Sequence, residues 1–118
     1  MSESTKSAPE PAQKRRFERY RYDVRMEVTV FRDGETTRLW GRTNEVGEDG
    51  VGATITGELK SGEVVSVEFP IPIAPLVMKL RAIVRYSDGL RCGLEFLVVS
   101  AQQRETMRQL CQSLAMAS

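Results

Sequence analysis

A chain of 118 residues, 41% apolar and 28% charged, has the size and balance of one soluble domain. Its net charge of +1 provides no global basic field of the kind that coats nucleic acid. There is no histidine and there are two cysteines, Cys92 and Cys111. This excludes serine–histidine and cysteine–histidine nucleophile pairs, a disulfide framework and the commonest zinc sites. No stretch reaches the roughly 18 apolar residues of a membrane span. Met1 to Gln13 lacks the apolar core of a secretory signal, so the expected location is cytoplasmic.

Residues 1–13 are rich in Ser, Pro, Glu, Lys and Ala, too polar to offset the entropy of ordering, and are expected to be disordered. Residues 14–23 read as an arginine-rich arm. Between Lys14 and Arg25 stand six basic residues, interleaved with Phe17, Tyr20 and Tyr22 and countered by Glu18 and Asp23. Residues 24–99 then change to a period of two. Val24, Met26, Val28 and Val30 alternate with polar or exposed-face positions as a first strand. Asp33-Gly34 predicts a tight hairpin turn, and a return strand from about Thr36 to Val46 carries Leu39 and Trp40, the latter expected to pack in or over the sheet.

The turn Gly47-Glu48-Asp49-Gly50 leads to a third strand with Val51, Ala53 and Ile55 on one face. After a turn over Glu58 to Glu63, a fourth strand carries Val65, Val67 and Phe69. Pro70, Pro72 and Pro75 predict an irregular connection, because proline cannot donate to a ladder. Met78, Leu80, Ala82 and Val84 form the inner face of a fifth strand, with Lys79, Arg81 and Arg85 outside. A turn at Asp88-Gly89 leads to a sixth strand with Leu90, Cys92, Leu94 and Phe96. Ser100 with Gln103 is a capping-box start for a helix over residues 100–115, whose stripe is Met107, Leu110, Cys111 and Leu114. The fold class is therefore mainly β: a six-stranded antiparallel β-barrel with a C-terminal α-helix closing its open end.

Two segments carry chemistry. Arg15, Arg16 and Arg19 present planar, permanently charged forks that fit phosphate oxygens or a guanine edge and stack on purine rings. Taken alone, such a run also fits a solvated basic linker. In the turn from Glu45 to Gly52, glycines let the backbone approach a ligand, and a carboxylate can accept from guanine N–H groups. Taken alone, that turn also fits a connection that needs positive φ angles.

Together, in this order on a six-stranded pattern, the two segments resemble a PilZ domain, the small bacterial barrel that senses cyclic di-GMP. Arg15-Arg16-Phe17-Glu18-Arg19 resembles that family's RxxxR arm. Glu45, Gly47 and Gly50 fall on its D/N-x-S-x-x-G motif, with glutamate at the acid and glycine at the serine. Arg21 to Arg25 is a competing RxxxR inside the first strand, and Asn44 a competing start for the second motif. A one-residue slip there turns the strand's faces over.

The resemblance implies a binding module rather than an enzyme. Its ligand would be cyclic di-GMP, with no cofactor or metal and an effector protein as partner. Arg15, Arg16 and Arg19 would take guanine edges and phosphates, and Glu45 the guanine Watson–Crick edge. Loss of the serine hydroxyl removes one hydrogen bond of about 0.5–1.5 kcal/mol, roughly a tenfold weakening at 1.4 kcal/mol per decade. The alternative is a PilZ-fold adaptor that keeps the barrel and no longer binds the ligand. Nucleic-acid binding, a third class, is opposed by the near-neutral charge.

Overall fold

In the computed structural model, residues 17–72, 76–97 and 99–117 are described. The expected disordered tail, Arg15, Arg16 and Pro75 lie outside the described residues. In an alternating strand successive side chains give one dry face and one wet face. In β2 (Arg25–Arg32), Met26, Val28 and Val30 are buried while Arg25 and Phe31 are exposed. The other strands are β1 (Tyr20–Arg21), β3 (Glu35–Val46), β4 (Gly50–Ile55), β5 (Val64–Ile71), β6 (Leu76–Asp88) and β7 (Arg91–Phe96). They are followed by helix α1 (Ala101–Ala117).

Antiparallel pairings run β2–β3, β3–β4, β4–β7, β7–β6, β6–β5 and β5–β2, which closes a six-stranded barrel and leaves none of these strands as a free edge. Strand β1 adds beside the end of β3, pairing Tyr20 with Val46 and Arg21 with Glu45. The interior is filled by Val28, Val30, Val51, Val65, Val67, Phe69, Leu80, Val84 and Leu94. Phe69 and Phe96 stack with centroids 6.4 Å apart.

The hairpins follow their turn chemistry. Asp33 and Gly34 have φ of 52° and 76°, the doubly left-handed pattern of a type I′ turn. At the second hairpin Asp88 pairs with Arg91, so the two loop residues are Gly89 (φ 66°) and Leu90, the Gly-first pattern of a type II′ turn. Leu90 is thus an exposed turn residue and not part of the sixth strand. Pro70 also departs from expectation. It lies within β5, opposite Val77, and its carbonyl accepts a 2.6 Å hydrogen bond from the Tyr22 hydroxyl. The expected first strand is interrupted between Arg21 and Arg25, which puts those two arginines on separate strands. Trp40 lies outside the barrel, with the Arg25 guanidinium 4.4 Å from its ring centroid.

Helix α1 starts with a reciprocal capping box. The Gln103 N–H donates to Ser100 Oγ at 3.0 Å, and the Ser100 N–H donates to Gln103 Oε1 at 3.1 Å. Gln103 Nε2 also donates to the Lys79 carbonyl, which ties this end to β6. Met107 and Leu110 are fully buried in the core, Cys111 is buried, and the helix packs on β1. No described helix is long and apolar enough to cross a membrane.

Candidate functional site

The end of β3, the start of β4 and the arm meet at one corner of the barrel. Gly47 closes the corner by donating its N–H to the Gly50 carbonyl at 2.9 Å. The Arg19 side chain then lies across both glycines. A Cβ on Gly47 would stand 2.8 Å from Arg19 Cδ and 2.9 Å from the Glu18 carbonyl oxygen. On Gly50 it would stand 2.4 Å from the Leu94 oxygen and 3.3 Å from Arg19 Nη2. Neither glycine has a positive φ. The requirement is close approach, of the arm at Gly47 and chiefly of the Leu94 carbonyl at Gly50, not left-handed backbone.

Arg19 is held by charge on two sides. Its Nη1 lies 3.8 Å from Glu45 Oε2 and its Nη2 lies 3.6 Å from Asp49 Oδ1, with 16% of the arginine side chain exposed. These separations exceed hydrogen-bond length. Arg19 Nε and Asp49 Oδ1 are both buried without a hydrogen-bond partner among the described residues. Buried polar atoms in this state cost free energy that an added acceptor or donor recovers.

A β-bulge sets the carboxylate's direction. Thr43 and Val46 both point inward, and the register shift against β4 leaves Asn44 and Glu45 between them. Thr43 anchors the bulge: its hydroxyl donates to the Tyr22 carbonyl and accepts from the Val24 N–H at 3.0 Å. The two competing registers of the second motif therefore do not exchange the strand's faces. Asn44 Oδ1 accepts from the Thr54 hydroxyl at 3.2 Å, and Glu45 is the residue that faces Arg19.

Beside this corner lies an open cleft of about 580 Å³, lined by Arg21, Asp23, Arg42, Asn44, Thr54 and Thr56. Arg42 Nε donates to Asp23 Oδ1 at 2.6 Å along its rim. Behind the corner, burial pushes the Cys111 thiol up to about 11, and the Glu48 carboxylate adds to the rise. Such a thiol is inert at neutral pH.

The structure thus brings together Arg19, Glu45, Gly47 and Gly50, while Arg15 and Arg16 lie outside the described residues. Asp49 joins them as a direct neighbour of Arg19, where the sequence places it only in the turn between two strands. Gly52 joins as the floor beneath Glu45, whose Cγ would lie 3.1 Å from a Cβ placed there. The signal for Gly52 was available in the clustering of glycines at alternate positions of one strand. No group of described residues could hold a metal ion.

A closed antiparallel barrel with an arginine arm docked on a glycine corner defines a class of small binding domain. The PilZ domain family model matches residues 13–113, and the chain belongs to this family. Among solved structures, the PilZ domain of YcgR from Escherichia coli with c-di-GMP is similar at a TM-score of 0.70 and 22% identity. That match covers 89% of this chain and 94% of the other. The Bacillus subtilis inhibitor of motility, MotI/DgrA, is similar at a TM-score of 0.71 and 16% identity, over 90% of this chain and 53% of that one. The PilZ domain of CeSA from a cellulose-synthesizing bacterium aligns at a TM-score of 0.64 and 17% identity, over 83% of this chain and 98% of the other. These likenesses establish the shared fold. A search of curated proteins returned no match.

Proposed function

We propose that this protein is a cytoplasmic receptor module that binds cyclic di-GMP and passes the signal to an effector protein, with no catalysis of its own. The observation that carries this reading is the Arg19 guanidinium laid over Gly47 and Gly50, between Glu45 and Asp49. Its Nε has no hydrogen-bond partner among the described residues, so an anionic ligand gains a charge-assisted bond there. Glu45 supplies the acceptor for guanine N–H groups. Arg15 and Arg16 precede Arg19 on the arm and are assigned to the same ligand. The PilZ domain of YcgR, described with c-di-GMP, supports the ligand's identity.

Calorimetric titration of the full chain with cyclic di-GMP, beside Arg19→Ala, tests this. Binding in the wild type that weakens at least tenfold in the variant is the expected result. A second reading, a PilZ-fold adaptor without ligand, is favoured by the two carboxylates that Arg19 already faces and by glycine at the motif's serine position. Wild-type protein that gives no heat with cyclic di-GMP would select that reading.

A further inference from the structure

Arginine–carboxylate pairs occur in this molecule in two states, closed and open, and Arg32 and Arg19 show one each. Arg32 donates to Glu63 through two nitrogens, from Nε to Oε2 at 2.5 Å and from Nη2 to Oε1 at 2.8 Å. This two-bond fork is the strong form of the contact. Arg19 closes no such fork on Asp49. Its Nη2 stops 3.6 Å from Asp49 Oδ1, and its Nε and that oxygen are both buried without a hydrogen-bond partner among the described residues.

The backbone keeps the gap open. The Asp49 carbonyl accepts from the Phe96 N–H at 2.9 Å, and on the other side of the turn the Gly50 carbonyl accepts from the Gly47 N–H at 2.9 Å. Gly50 is paired with Glu95, and a Cβ on it would already stand 2.4 Å from the Leu94 oxygen. The turn is thus fastened to β7, and its short aspartate is held close to the guanidinium but beyond bonding length. The Asp49 side chain is 34% exposed, so water weakens the attraction further. Asp49 therefore holds Arg19 by charge while leaving its best hydrogen bonds unmade.

A phosphate supplies what Asp49 withholds, two oxygens that take Nε and Nη2 together. We propose that Asp49 is a resident stand-in for the ligand's phosphate at Arg19, a built-in competitor whose charge sets how tightly cyclic di-GMP binds. This rests on the cyclic di-GMP reading above and adds to it a residue at one of the unspecified positions between Gly47 and Gly50 of the second motif. Binding exchanges an open ion pair for a closed fork. It also leaves the displaced carboxylate beside a second negative charge, a cost that disappears when Asp49 is made neutral.

The test is calorimetric titration of wild type, Asp49→Asn and Asp49→Glu with cyclic di-GMP, together with thermal melts of each. Asp49→Asn keeps the shape and removes the charge. It should tighten binding about five- to tenfold, the scale of one exposed ion pair or one net hydrogen bond. Asp49→Glu adds the methylene that lets the carboxylate close on Arg19, and it should weaken binding. A purely structural aspartate predicts no such opposite signs. A wild type that binds, with Asp49→Asn equal to it or weaker, would overturn the competitor and leave the receptor reading intact. Binding by Asp49→Asn beside a silent wild type would overturn the receptor reading and support the competitor, which then blocks the site outright. No binding by any of the three overturns both.

Discussion

Arg19 shows how little sequence is needed to build a docking corner and how specific that sequence must be. Its side chain rests where two Cβ atoms are missing, so Gly47 and Gly50 act through absence of volume. Gly47→Val should displace the arm, because the Glu18 backbone and the Arg19 stem are both within 3 Å of the new Cβ. The expected outcome is a cyclic di-GMP affinity reduced about tenfold or more by calorimetry, on the scale of one lost charge-assisted contact. The melting temperature should change by only a few degrees, the shift expected for about 1 kcal/mol or less.

Away from the corner, Glu63 carries a pH signature. It accepts from Arg32 Nε at 2.5 Å and Nη2 at 2.8 Å, and from the Lys60 N–H at 3.1 Å. The hydrogen bonds from Arg32, more than any other contact, hold its carboxyl below the usual glutamate range. A depressed folded-state pKa gives stability that is complete above the unfolded value, about 4.3. That stability is lost as pH falls from there through the lower folded value. Glu63→Gln should therefore destabilise by about 1 kcal/mol at neutral pH. It should also flatten the loss of stability seen in urea melts between neutral pH and pH 3.

At the scale of elements, helix α1 is anchored by its first turn. Ser100→Ala removes the acceptor for the Gln103 N–H and should cost about 1 kcal/mol in chemical denaturation. This helix was legible because its cap and its stripe are both local patterns. The Asp33-Gly34 turn and the alternation of β2 were legible for the same reason. The breaks were not. The interruption between Arg21 and Arg25 exists because Thr43, about 20 residues on, takes the Tyr22 and Val24 backbone groups. Pro70 is tolerated in β5 because it lies past the last β2–β5 pair, Glu27 with Glu68, and its carbonyl is used by Tyr22, 48 residues away. Side chains that act over such separations leave no periodic trace. The candidate site divides the same way: Arg19, Glu45, Gly47 and Gly50 follow from motif spacing, whereas Asp49 becomes a neighbour of Arg19 only when the arm docks, and Gly52 meets Glu45 only through cross-strand register.

For the whole molecule, closure of the barrel makes a rigid frame whose outer face can be specialised without disturbing the core. The arm reaches that face through β1, which pairs Arg21 with Glu45 and packs against α1. Arm, corner and helix thus share one contact region, and a ligand that draws Arg19 away from Asp49 acts on all three. The most direct measurement is a backbone amide NMR titration of the full chain with cyclic di-GMP. The account predicts that shifts concentrate at Arg19, Glu45, Gly47, Gly50 and Gly52, with the far hairpin around Asp33 unmoved. A spectrum unchanged at saturating ligand, or shifts centred on that far hairpin, would contradict it.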